Sequence, residues 1–180
     1  IMFDRDQPII AKHAIQSADN FARLCQFVIL TVQTSLENVP ADIETAAAGG
    51  DEAMGVLYGW KFQAYNYVWE HREALATQCY FEAMHAKSDR ELARAIIEIL
   101  ANVHGFGLVK AGFVAQLAFG VGGCLDTHNL RRFGLSKTTF AKYKTLKTVK
   151  ARARKLEAYL DACEAQGGAR ALWDGWCNYV

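Results

Sequence analysis

The apolar positions of this chain recur with a helical rather than a strand period. In residues 9–36, Ile10, Ala14, Phe21, Leu24, Phe27 and Val28 fall near one stripe, which predicts a long amphipathic helix. Pro40 and Gly49-Gly50 bracket a short helical piece, and 51–86 is helical in pattern but broken, since Gly55 and Gly59 weaken its start. Ser88-Asp-Arg-Glu91 spells a capping box and opens a helix that runs to about residue 102. A tight turn at 104–107, a helix over 108–119 and a glycine-rich connection at 120–123 follow. Asp126 starts a further helix ending near Gly134, and Ser136 caps the next. Residues 149–166 form a clear helix that Gly167-Gly168 stops before a last apolar helix at 169–179. No segment alternates with a period of two, so the fold class is all-α.

Composition narrows the class of protein. The 180 residues, 52% hydrophobic and 22% charged with only two prolines, suit a single compact helical unit over 1–180. The longest purely apolar runs, such as 27–30, are far too short to span a bilayer. Asp4, Arg5 and Asp6 near the start argue against a secretory signal, and a cytoplasmic, monomeric protein is expected. Cys25, Cys79, Cys124, Cys163 and Cys177 are odd in number and contain no CxxC pair. They read as reduced thiols, several of them core-filling, with no metal site and no cofactor.

Charge adds an asymmetry that the net value of +1 hides. Residues 1–104 carry 8 basic and 14 acidic side chains, whereas 105–180 carry 12 and 5. Within 105–155 there are 11 basic residues and one acid, Asp126. A cationic half around a lone carboxylate suits a docked polyanion such as nucleic acid; a solvated basic helix face is the plainer alternative.

The stretch Leu100-Ala-Asn-Val103-His104-Gly105-Phe106-Gly107-Leu-Val-Lys110-Ala111 fits the helix–hairpin–helix pattern h-x-x-h-x-G-h-G-x-x-x-A. Its glycines permit the tight turn and a bare-backbone approach to phosphate, Phe106 plugs the turn onto its helices, and Ala111 lets the helices pack closely. The second helix then aims its free N–H groups and dipole at the anion.

Downstream come Phe119-Gly120, Leu125, Asp126-Thr127-His128, Arg131-Arg132 and Phe133-Gly134. With the hairpin, this run resembles the core of the helix–hairpin–helix DNA glycosylase superfamily, especially its endonuclease III-like branch, with a connection one residue shorter. The resemblance implies a two-lobed all-α fold. The hairpin and Asp126 would occupy a lobe at about 51–135. The N-terminal helix (about 9–50) and the C-terminal helices (about 136–180) would share the other, with DNA and a flipped nucleotide between them. It also implies that Asp126 is catalytic, stabilising positive charge on the sugar or activating the attacking nucleophile. His104, Gly105, Phe106, Gly107, Val109, Lys110, His128, Arg131 and Arg132 would contact DNA. Bifunctional members of that family place a Schiff-base lysine two residues after the second hairpin glycine. Val109 stands there in this chain, and Lys110 follows it. One residue turns a helical side chain by about 100°, so Lys110 is expected to point elsewhere and to contact phosphate.

Six aromatics lie within residues 58–69. Helical spacing groups Tyr58, Phe62, Tyr65 and Trp69 as a core stripe, leaving Trp60, Tyr67 and Gln63 as candidates to hold a flipped base.

Three functions are compatible with this reading. The first is a monofunctional DNA glycosylase acting on a modified base. The second is a bacteriophage DNA-modifying transferase that joins an amino acid or amine to an activated 5-methyl pyrimidine in a bacterial host cell. The third is a non-catalytic DNA-binding or virion-associated protein that keeps the fold.

Overall fold

The computed structural model of the chain describes residues 17–32, 34 and 38–179, with side chains through Asp174. Among them the regular structure is entirely helical. The first part of the long N-terminal helix expected from the sequence, with Ile10 and Ala14, lies outside the described residues. What is described is α1 (Ala18–Leu30), capped by Ser17, whose hydroxyl accepts from the Asn20 amide at 3.1 Å. Short helices α2 (Val39–Ala48), carrying Pro40 in its first turn, and α3 (Gly50–Val56) lead to α4 (Trp60–Glu70) and α5 (Arg72–His85). Helices α6 (Asp89–Ala101) and α7 (Leu108–Phe119) flank the hairpin, and α8 (Thr127–Arg132) starts at Asp126. Helices α9 (Val149–Ala165) and α10 (Gly168–Tyr179) close the chain.

Helix α1 is central: Asp19, Asn20 and Arg23 keep an exposed polar face on its first turns, but Phe21, Ala22 and every residue from Leu24 to Leu30 are buried, so its second half is covered all round. Accordingly it packs against α4, α5 and α7, with α2 at its end. Each of its fully buried large apolar side chains contributes about 1.5–3 kcal/mol of burial free energy. The sequence grouped this helix with the C-terminal pair. In the structure it sits among the hairpin helices, while α9 packs on α6 and α10 on α8 and α9. One continuous apolar cluster runs from Phe21 to Trp173, joined by a small satellite of Leu30, Ala46 and Leu57.

Two further expectations are corrected. On α4 the buried face is Lys61, Ala64 and Val68, whereas Tyr58, before the helix, and Phe62 are exposed and Tyr65 and Trp69 are half-buried. Helix α4 packs closely on α1, and the positions it covers are Ala64, Val68 and the Lys61 side chain, while the larger rings keep part of their surface outside. Nor does Ser136 open an α-helix. Its hydroxyl accepts from the Thr138 amide at 3.3 Å, and the basic segment continues through turns and one 3-10 turn, Tyr143–Thr145, until Thr148 caps α9.

The capping box at α6 holds in modified form. Ser88 accepts from the Glu91 amide at 3.2 Å, while the Glu91 carboxylate reaches back to the Lys87 amide at 2.9 Å. Arg90 of the same helix pairs with Glu157, Asp161 and Glu164, and Arg94 pairs with Glu157. These ion pairs turn the acidic face of α9 toward α6. Trp173 of α10 is buried, 1% exposed. Among the described residues no helix is long and apolar enough to cross a membrane.

Candidate nucleic-acid interface and cleft

The hairpin is built from backbone and packing together. The Val103 amide donates to the Leu100 carbonyl at 3.0 Å and the Phe106 amide to the Val103 carbonyl at 3.0 Å, closing the turn between α6 and α7. Phe106 and Val103 are buried beneath it, and His104 is exposed. Gly105 has φ +74°, and a side-chain carbon there would lie 2.7 Å from the Trp60 ring and 2.9 Å from Ala64. Its lack of a side chain is therefore needed for packing. Gly107 differs: its backbone is extended (φ −145°, ψ −172°) and a side-chain carbon would meet nothing within 4 Å. Neither the turn nor the packing demands a glycine there, and the space beside its Cα is open.

Trp60 occupies the underside of this hairpin, and the Lys110 ammonium lies 4.0 Å from the centre of its ring. The Lys110 Nζ also donates to the Gly105 carbonyl at 2.7 Å. Lys144 Nζ, from the basic segment, donates to the Val103 carbonyl. Burial, then the nearby charges of Lys144 and Lys61, bring the Lys110 amine down to about 8.

A cleft of about 370 Å³ opens beside the hairpin. The C-terminal end of α1 and the residues after it contribute Val28, Thr31 and Val32 to its wall, and α7 contributes Val109, Lys110 and Phe113. Cys124, Leu125, Asp126, Thr127, His128, Leu130 and Lys137 complete its lining. Among the described residues the walls are largely apolar, with one carboxylate and two amines among them. Val109 and Lys110 both line it, while the Lys110 Nζ is held on the Gly105 carbonyl and the Trp60 ring, neither of which lines the cleft.

Asp126 is half-buried at the N-cap of α8, and its Oδ1 accepts from the Asn129 amide at 2.9 Å. The loop that delivers it is fixed by buried polar side chains from three helices. Gln116 of α7 accepts from the Cys124 amide at 2.6 Å. Asn129 of α8 donates to the Cys124 carbonyl at 2.8 Å. Tyr159 of α9 donates to the Gly123 carbonyl at 2.7 Å and accepts from the Leu125 amide at 3.3 Å. Gln116, Asn129 and Tyr159 are each no more than 1% exposed. Sequence reading missed all three, although Gln116 had a signal: it is the lone polar residue within the otherwise apolar run 111–119. Cys124 and Cys163 are buried beside this network, and burial pushes both thiols up, Cys124 well above its ordinary value.

The remaining sequence candidates lie elsewhere. Trp60 braces the hairpin, Tyr67 stacks on His71 with ring centres 4.0 Å apart, and Gln63 is exposed. None of the three lines the cleft, whose aromatic residue is Phe113. His128 is exposed at the cleft, and Arg131 and Arg132 are exposed at the end of α8. Comparison with protein-family models, curated proteins and solved structures finds no match to this chain.

Proposed function

We propose that the protein is a DNA glycosylase-like enzyme that acts on a flipped, modified base and uses Asp126 without a Schiff-base lysine. One observation carries the proposal: a single apolar-walled cleft borders both the start of the hairpin's second helix and the half-buried carboxylate of Asp126. Beside apolar walls a carboxylate stabilises a cationic sugar better than it does in bulk water. It also serves as a base toward an incoming water. The open backbone around Gly107 and the amides of α7 would take a DNA phosphate, with His104 at the tip of the hairpin. Exposed Arg131, Arg132 and the basic segment 137–155 would hold the flanking duplex by charge. Lys110 already donates to Gly105, and in this reading it works through its charge.

The test is incubation of the purified chain with duplex oligonucleotides that carry a panel of modified bases. Free base together with an abasic strand that breaks only in hot alkali is the expected result. Strand nicking trapped by borohydride would overturn the assignment of Lys110, and base release unchanged by Asp126→Asn would overturn that of Asp126.

A further inference from the structure

Helix α5 packs on α1 and α6 and buries Leu75, Ala76 and Cys79. Its outward face carries three large apolar side chains close together: Tyr80 is 47%, Phe81 54% and Met84 65% exposed. Thr77 and Ala74, also exposed, continue that face toward the N-terminus of the helix. The His85 ring stacks on Phe81 with ring centres 4.1 Å apart, which widens the strip. Glu82 is the one charged residue between Glu73 and His85, and it lies half-buried on the flank toward α6. Single apolar residues are ordinary on a protein surface, but a contiguous strip along one helix marks a contact surface.

The two ends of the strip differ in sign. Glu70 and Glu73 are exposed at its start, and His85 and Lys87 are exposed at its finish. Glu70, Glu73 and Lys87 make no ion pair among the described residues. Tyr80 stands seven residues from both Glu73 and Lys87. A second α5 turned end for end about an axis near Tyr80 would set strip on strip and each acidic end against the other's Lys87. A parallel copy, or a partner of one charge sign, would meet like charge at one end. We infer that this face is the contact of a symmetric dimer of the chain, in which two α5 helices pack antiparallel. A contact confined to one 14-residue helix belongs to the small class of protein interfaces, below about 1,200 Å². Association is therefore expected in the micromolar range, with the monomer expected from the sequence as the dilute form. The inference does not depend on the DNA reading.

Sedimentation equilibrium of the full chain across the micromolar range tests this, and a rise from one chain mass to two with concentration is the expected result. Met84→Lys and Phe81→Ser change exposed positions, so circular dichroism should show the fold intact. Each should raise the dimer Kd roughly tenfold. Glu73→Lys or Lys87→Glu alone sets like charges opposite one another at both ends of the dimer, and should raise Kd about fivefold. Combining the two in one chain restores opposite charges and should return Kd close to the parent value. Loss of helix stability cannot produce that rescue. A monomer at every concentration would overturn the proposal and leave the face to a different partner. A dimer indifferent to Met84→Lys and Phe81→Ser would place the contact elsewhere and refute it. A dimer weakened by those two changes but not rescued by the charge swap would sink the antiparallel pairing.

Discussion

The Tyr159 hydroxyl of α9 donates to the Gly123 carbonyl at 2.7 Å, three residues before Asp126 and within a fully buried contact. The same oxygen accepts from the Leu125 amide, so one side chain satisfies both sides of the loop that delivers the carboxylate. Burial pushes this phenol well above its ordinary value, which keeps it a neutral donor. A remote helix thus sets the position of the cleft's acid.

Tyr159→Phe tests that linkage. It strands the Gly123 carbonyl and the Leu125 amide in the core, at a cost of about 1–3 kcal/mol. A urea melt will show the loss as a lower midpoint with an unchanged slope. Any activity that depends on Asp126 should fall along with it.

Gly112→Ala separates helix propensity from packing. An exposed helical Gly→Ala change stabilises by about 1 kcal/mol. Here the added carbon would lie 2.4 Å from both the Gly123 carbonyl oxygen and the Tyr159 hydroxyl. Overpacking of this kind costs about 1–3 kcal/mol, so a net destabilisation is expected in thermal denaturation. A rise in Tm would contradict the packing described around Gly123.

The two hairpin glycines should respond differently to the same change. Gly105→Ala strains a left-handed backbone and strikes Trp60 and Ala64, and its effect belongs in the stability measurement. Gly107→Ala meets nothing and keeps an extended backbone, so Tm should stay within a degree or two of the parent. If phosphate approaches that backbone, the methyl group will weaken duplex binding severalfold in a fluorescence-anisotropy titration. Equal binding by parent and Gly107→Ala would argue against phosphate at the hairpin.

Asp126 has a structural role and a proposed chemical one, and two substitutions divide them. Asn caps a helix about as well as Asp, so Asp126→Asn should leave stability nearly unchanged while abolishing base release. Asp126→Ala also loses the bond to the Asn129 amide and should cost a further ~1 kcal/mol. Equal base release by all three proteins would reduce Asp126 to a cap.

Legible along the chain were the all-α class, a tight turn at 104–107 with buried Phe106, the caps at Ser88 and Asp126, and helices α6 to α9 within a few residues. These are local properties: a cap depends on its first turn, and a helix on a period that neighbouring residues spell out. Which faces meet is set by contacts between helices far apart in the sequence. That the second half of α1 is covered all round, that Lys61 is buried while the aromatic stripe is not, and that Trp60 braces Gly105 all depend on how closely helices distant in sequence approach. The cleft is the same kind of fact. Lys110 and Asp126 stand sixteen positions apart, and their shared cavity is set by a loop anchored to Gln116, Asn129 and Tyr159. Spacing along one helix gives a side chain's starting direction, but which cavity it reaches is fixed by the helices packed around it.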